Sequence, residues 1–283
     1  MQKIAERVYI ETVYRGGNVG CILTEQGPVL VDTPLLPRDA RHWRDQLEGL
    51  TSLPILFVIN TDYREEHILG NAFFDAPVVA HELAWEHVSG YGDAFWQQVV
   101  NLLEPIDVEA VAEIDQLKLP LPEITFTERM ILYKGEPEVR LIHLGGHTPA
   151  TIAVYLPDDQ ILFTGDNVML DTLPVLTQAD TRQWLQALTA IRKMRVKKLV
   201  PGHGPPCDTT ATQPLSKYIR LIRAQVRRHF QAGRSKSELT GLTADLVDAY
   251  PIPQAGREGL RLRIRSNLDR VYDEIKIQQR RKT

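Results

Sequence analysis

The residues best suited to chemistry first gather at Asn60-Thr61-Asp62-Tyr63-Arg64-Glu65-Glu66-His67. They follow Pro54-Ile55-Leu56-Phe57-Val58-Ile59, an apolar run short enough to be a buried strand, and the chain turns apolar again at Ile68-Leu69. A strand therefore ends in a burst of carboxylates, a guanidinium and an imidazole. Strand ends are where α/β proteins build sites, because the strand fixes the backbone and the loop aims the side chains. Three later runs repeat the form: an apolar strand followed by Gly145-Gly146-His147-Thr148, by Thr164-Gly165-Asp166-Asn167, and by Pro201-Gly202-His203-Gly204. The glycines allow sharp turns and let a ligand or ion come close.

In order, neighbours and spacing, these four stretches resemble the metallo-β-lactamase-fold hydrolases. That family carries His-x-His-x-Asp-His after a strand, then Gly-His, Gly-Asp and Gly-His. The resemblance spans residues 5–210 and implies an α/β fold, a four-layer αββα sandwich. This chain departs from the first motif, reading Asp62-x-Arg64-x-Glu66-His67. Carried over by position, the resemblance implies a second metal site of Glu66, His67, His203 and Asp166. The first site keeps only Asp62, His147 and the shared Asp166. Arg64 cannot be a ligand, since a guanidinium stays protonated and has no lone pair to offer.

These ligand types suit zinc, iron or manganese. Three converging carboxylates, Asp62, Glu66 and Asp166, need cations nearby. One zinc per chain with Arg64 as a fixed positive charge in the first metal's place is the expected arrangement. The alternatives are two metals, or none and an Asp62–Arg64–Glu66 ion-pair cluster.

The function these residues imply is that of a hydrolase acting on a small-molecule ester, thioester or lactam. A divalent metal would acidify a bound water toward neutrality. Asp166 or Asp62 would orient that water or take its proton, Arg64 would bind the oxyanion or a substrate carboxylate, and His147 would protonate the leaving group. Competing readings are an iron-dependent oxidoreductase and a catalytically degenerate scaffold that holds an anion.

Around these motifs the chain alternates strands and helices. Strands are expected at 7–13, 19–24, 29–34, 77–81, 124–133, 138–144, 151–156, 161–165 and 197–200, with helices at 38–50 and 180–195. Asp32, at the end of a strand, is either support for the site, as the resemblance implies, or a cap or turn residue. His42, His81 and His87 read as surface or structural histidines, and His143 as a buried one or a donor to the site. The mostly helical segment 82–118 carries Trp85, Tyr91, Phe95 and Trp96, a lid over the site or the core of a helix pair.

The 283 residues are expected to divide into a metallo-β-lactamase-like domain, 1–212, and a helical C-terminal extension, 213–283, with helices at 215–232, 235–250 and 257–277. Net charge is −3 overall, but residues 217–283 hold 16 basic against 7 acidic side chains. The basic residues alternate with apolar ones at helical spacing and lack an aromatic stacking platform, so docking on the acidic body or on a second copy, as a homodimer, is favoured over nucleic-acid binding. No apolar run reaches the ~18 residues of a membrane span. Met1-Gln2-Lys3-Ile4-Ala5-Glu6-Arg7 has no apolar leader region, which suggests a cytoplasmic protein. The two cysteines, Cys21 and Cys207, imply no disulfide framework.

Overall fold

The computed structural model describes residues 1–114, 117–250, 252 and 259–280. Its elements in order are β1 (Gln2–Ala5), β2 (Val8–Glu11), β3 (Val19–Thr24), β4 (Gly27–Val31), α1 (Pro37–Glu48), β5 (Phe57–Ile59), α2 (Glu65–Ile68), β6 (Val78–His81), α3 (Glu82–Ser89), α4 (Asp93–Leu103) and α5 (Val108–Ile114). Then come β7 (Ile124–Phe126), β8 (Arg129–Leu132), β9 (Val139–His143), β10 (Ile152–Leu156), β11 (Ile161–Phe163), α6 (Thr181–Lys193), β12 (Lys198–Val200), α7 (Thr212–Gln231), α8 (Thr243–Leu246) and α9 (Leu260–Arg280).

Among the described residues, seven strands form one sheet in the order β1 to β7, and five form a second in the order β12-β11-β10-β9-β8. The alternation of side chains along each strand separates the layers. Ile22, Val29, Val31 and Ile59 face inward, onto Leu141, Ile152, Val154, Phe163 and Val200 of the second sheet. Their sequence neighbours Cys21, Leu30 and Val58 face outward, onto Trp43 and Leu47 of α1. Ala153, Tyr155, Leu162 and Leu199 face the other way, onto α6, α7 and α9. The result is helix, sheet, sheet, helix, as expected, with the C-terminal helices in the last layer.

Parallel pairing brings the chemistry to one edge. The register Val31↔Ile59 sets the ends of β4 and β5 side by side, and Phe163↔Val200 does the same for β11 and β12. The two sheets are stitched at that edge by Ile152 N–H to Thr61 O (2.9 Å) and Asn18 N–H to Gly202 O (2.7 Å).

Several boundaries differ from the sequence pattern, for local reasons. The strand expected to run to residue 34 stops at Val31, because Asp32 takes a left-handed φ of 57°. The one expected over 7–13 stops at Glu11, whose carboxylate accepts from the N–H groups of Thr12 and Val13. Segment 82–118 breaks at Gly90 and Gly92 into α3 and α4. Segment 235–250 begins as a tight 3-10 turn, Lys236–Leu242, opened by a Ser235/Glu238 capping box, before α8. The stop expected at 251–253, apart from residue 252, and the first residues of the helix expected over 257–277 lie outside the described residues.

Leu268 of α9 is fully buried in the cluster that also holds β10, β11 and α6. Leu268→Ala is expected to cost about 2–5 kcal/mol, read as a lowered urea midpoint in one cooperative transition. A loss below ~0.5 kcal/mol would show that α9 lies outside the cooperative core.

Candidate metal centre

His67 is fully enclosed, at 0% exposure. It sits in α2, the four-residue helix that follows Arg64, and its ring lies between two carboxylates. Nδ1 is 3.0 Å from Asp32 Oδ2, and Nε2 is 3.5 Å from Asp166 Oδ1. Asp32 also accepts from Thr61 N–H at 2.7 Å and from Thr61 Oγ1 at 2.6 Å. A carboxylate so anchored accepts from Nδ1–H and turns Nε2 toward Asp166. Asp32 therefore supports the site, the first of its two readings, and its left-handed backbone is what swings it there.

Asp166 is fully buried in the middle of the turn Gly165–Asn167 that follows β11. His203 Nε2 lies 3.3 Å from its Oδ1, and His147 Nε2 lies 3.9 Å from its Oδ2. The turn after β12 must pass close to this carboxylate. A Cβ on Gly202 would lie 2.0 Å from Asp166 Oδ1, so only glycine fits there. Asn18 fixes the same turn by donating through Nδ2 to Pro201 O (2.8 Å) and Gly204 O (2.7 Å).

Glu66, His67 and Asp166 offer ligand atoms that all lie within 4.8 Å of one another. Their fit to a cation can be judged from the hydrogen bonds. His67 Nε2 and both oxygens of Asp166 are buried without a hydrogen-bond partner. Buried polar atoms are rarely left so, and two carboxylate oxygens facing a ring lone pair are a donor set for a metal ion. The residues present fit one, and His203 Nε2 lies beside this group of three, 3.3 Å from Asp166 Oδ1.

Asp62 and Arg64 are placed differently. Asp62 is fully buried, but its oxygens are already engaged. Oδ1 accepts from Tyr63 N–H at 2.8 Å, and Oδ2 accepts from Thr148 Oγ1 at 2.9 Å and Thr151 Oγ1 at 2.7 Å. The same Oδ2 is 3.5 Å from His147 Nδ1, so Asp62 meets the cluster through that imidazole. Arg64 donates Nε–H to Glu66 Oε1 at 2.9 Å and lies 3.8 Å from Glu65. It is one wall of a cavity of about 310 Å³ that Tyr91, Phe95, Gln98 and Gln178 also line. Tyr91 and Phe95 stack with ring centres 3.7 Å apart, and Tyr91 Oη donates to Tyr63 O. Two of the four aromatics of segment 82–118 thus border the cavity, while Trp96 packs in the cluster of α4 and α5.

Of the other histidines, His81 and His143 stack on each other at 3.7 Å and spend their Nε2 atoms on the carbonyls of Thr127 and Pro149. His87 stacks on Tyr63, and His42 bonds Tyr14. The residues that sequence reasoning passed over are mainly Asn18, Thr61, Thr151 and Asn167. Asn167 Oδ1 accepts from His147 N–H at 3.1 Å, and its Nδ2 donates to Gly145 O at 2.7 Å. The only signal for it was its position directly after Asp166.

Electrostatics follow from this packing. Burial alone would raise Asp166, but His203 and His67 hold its carboxyl well below the ordinary 3.8. Burial also opposes the charge on His67, yet Asp32 and Asp166 push the ring well above 6.5. His203 is raised for the same reason, by Asp166 against its burial. For Arg64, Glu66, Glu65, Asp166 and Asp62 outweigh the cost of burial and keep the guanidinium charged.

Known proteins share this fold. The family model of the metallo-beta-lactamase superfamily matches residues 13–203, more than half of the chain. The chain belongs to the metallo-beta-lactamase superfamily. A linear primary-alkylsulfatase from Pseudomonas sp. is 27% identical over 265 residues, covering 81% of this chain and 48% of that protein. A metallo-beta-lactamase type 2 from Bacteroides fragilis is 31% identical over 93 residues, covering 30% of this chain and 37% of that one. The chain thus spans half or less of the length of these curated relatives. Among solved structures, a metallo-beta-lactamase family protein from Thermus thermophilus superposes with a TM-score of 0.69 at 16% identity, covering 98% of this chain and 95% of that one. A stereoselective inverting sec-alkylsulfatase from Pseudomonas sp. gives 0.71 at 19% identity, covering 96% of this chain and 49% of its own. These likenesses bear on the fold.

The packing around His67 generates two expectations. Asp32→Ala frees the His67 ring and is expected to weaken metal binding by about 10- to 100-fold, measured by competition with a chelator; unchanged affinity would remove Asp32 from the design. In the metal-free chain the charged forms of His67 and His203 are favoured, so their contribution to stability is complete below 6.5 and fades as pH rises through their raised values. A metal needs both rings neutral, so its affinity should climb with pH above 6.5, with protons released on binding. Calorimetry in buffers of different ionisation enthalpy reads that release, and a pH-independent affinity would contradict it.

Proposed function

We propose that this chain is a metal-dependent hydrolase of small esters, thioesters or lactams with one metal, zinc in the first instance, held by Glu66, His67, Asp166 and His203. The observation that carries the reading is the set of buried atoms without hydrogen bonds, His67 Nε2 and both Asp166 oxygens. A metal there would supply a water acidified toward neutral pH and a polarising charge for the scissile bond.

The chain's own side chains do the rest. Asp32 holds the proton on His67 Nδ1. Asp166, kept ionised by its histidines, orients the attacking water or takes its proton. Thr148 and Thr151 fix Asp62, whose Oδ2 lies 3.5 Å from His147 Nδ1, and His147 Nε2, 3.9 Å from Asp166 Oδ2, would pass the proton taken from the water to the leaving group. Arg64, at the cavity wall, carries the charge to bind a developing oxyanion or a substrate carboxylate. It would take the part of the family's first metal as a fixed cation. The alkylsulfatase relatives add sulfate esters to the substrates worth assaying.

One observation favours a second reading. Arg64 already engages Glu66 at 2.9 Å, as it would in a binding protein that retains the fold and has lost turnover. The carboxylate-rich donor set also leaves room for iron and redox chemistry.

Elemental analysis of untreated protein separates these. The hydrolase reading expects about one metal per chain, with His67→Ala and His203→Ala losing both the metal and turnover of a chromogenic ester, thioester, lactam or alkyl sulfate. Turnover that survives in either variant overturns it, two metals per chain overturn the role given to Arg64, and a metal-free native protein supports the binding reading.

A further inference from the structure

The segment from Met169 to Asp180 joins Asp166 to α6 with no helix or strand of its own. It nevertheless touches the metal centre at both ends. Leu170 N–H donates to His203 O at 2.9 Å, and Asp180 N–H donates to Gly146 O, beside His147, at 3.1 Å. Between those ends it carries Gln178 to the cavity that Arg64 lines. A loop whose backbone groups are buried must find partners outside regular structure.

Those partners come from the C-terminal helices. Asn267 accepts from Leu176 N–H at 2.8 Å and donates to Pro174 O at 2.8 Å. Arg270 donates to Ala179 O through Nε at 3.0 Å and Nη2 at 2.7 Å. Glu274 accepts from Thr181 N–H at 3.2 Å and Oγ1 at 2.6 Å, at the first residue of α6. Tyr250 Oη donates to Met169 O at 3.0 Å. Residues 267, 270 and 274 are spaced three and four apart, so they share one face of α9. Beneath the loop, Leu173, Leu176 and Ala179 are buried in the same apolar cluster as α7 and α9. Glu274 is itself held by the buried Arg223 of α7 at 2.6 Å. Past Thr181, Trp184 packs edge-on against His147 with ring centres 5.3 Å apart and donates to Asn167 O.

We propose that the Asn267–Arg270–Glu274 face of α9 is a positioning device for the metal centre, setting the places of His147, His203 and Gln178 through the 169–180 loop. It rests on the metal reading given above. This face binds backbone at Pro174, Leu176 and Ala179 of the loop and at Thr181, the first residue of α6, groups that apolar side chains could not satisfy. The basic character of α9 has a local use here: the guanidinium of Arg270 spans two donors onto a single carbonyl.

The test uses the full-length protein, with Arg270→Ala, Asn267→Leu and the conservative Arg270→Lys, each titrated with zinc chloride against a competing chelator. Amide hydrogen exchange is followed in parallel. Arg270→Ala and Asn267→Leu are expected to weaken zinc binding by about tenfold and to speed exchange selectively at residues 168–181 and at the turns of His147 and His203. Arg270→Lys, which keeps a donor for Ala179, should stay close to the parent. Zinc affinity and loop exchange both equal to the parent would overturn the proposal, as would exchange accelerated uniformly through β2, β3 and β4, the mark of general destabilisation. If the parent chain binds no zinc, the metal reading fails by itself, and the exchange pattern alone then decides whether α9 positions the two histidine turns.

Discussion

The structure turns on one buried imidazole held between two carboxylates. His67 is gripped by Asp32 on one nitrogen and faces Asp166 with the other, and neither that nitrogen nor either Asp166 oxygen has a hydrogen-bond partner. Taking charged and polar groups out of water is costly unless they are paired. The fold therefore concentrates unsatisfied donor capacity at one point. The same carboxylate pushes both His67 and His203 upward, toward their charged forms.

Asp62 and Arg64 flank that point without joining the group of Glu66, His67 and Asp166. Three hydrogen-bond donors hold Asp62, and it faces His147. Arg64 brings a charge that Glu66 and Glu65 keep in place, beside a cavity. Proton placement and charge stabilisation are both tasks that side chains can perform without a metal.

Support for the centre reaches far along the chain. Asn18, in the first β-turns, fixes the turn of His203, and α9, some 250 residues later, fixes the loop between Asp166 and α6. The C-terminal helices complete the outer layer of the second sheet and provide hydrogen bonds to backbone that has no regular structure of its own. Side chains gathered at one point need neighbours that lock their orientation, and here those neighbours come from distant parts of the chain.

By itself the sequence was enough for the fold and for naming most of the residues that the fold gathers at one edge. Each of His67, His147, Asp166 and His203 follows an apolar strand and has glycine or a motif neighbour beside it, a pattern local enough to be read without coordinates. The strand ends and helix breaks were less legible, because Asp32 leaves its sheet through a backbone conformation that residue type does not announce. What only the tertiary structure decided is which side chain faces which. Asp62 looks like a ligand in a motif, yet Thr148 and Thr151, nearly ninety residues away, engage its oxygens. Asn18 looks like a turn residue, and Asn267 and Arg270 like the polar face of a terminal helix. Their roles depend on hydrogen bonds to backbone groups distant in sequence, and neither periodicity nor local motif encodes such partners. They exist only once two sheets and three helices have packed.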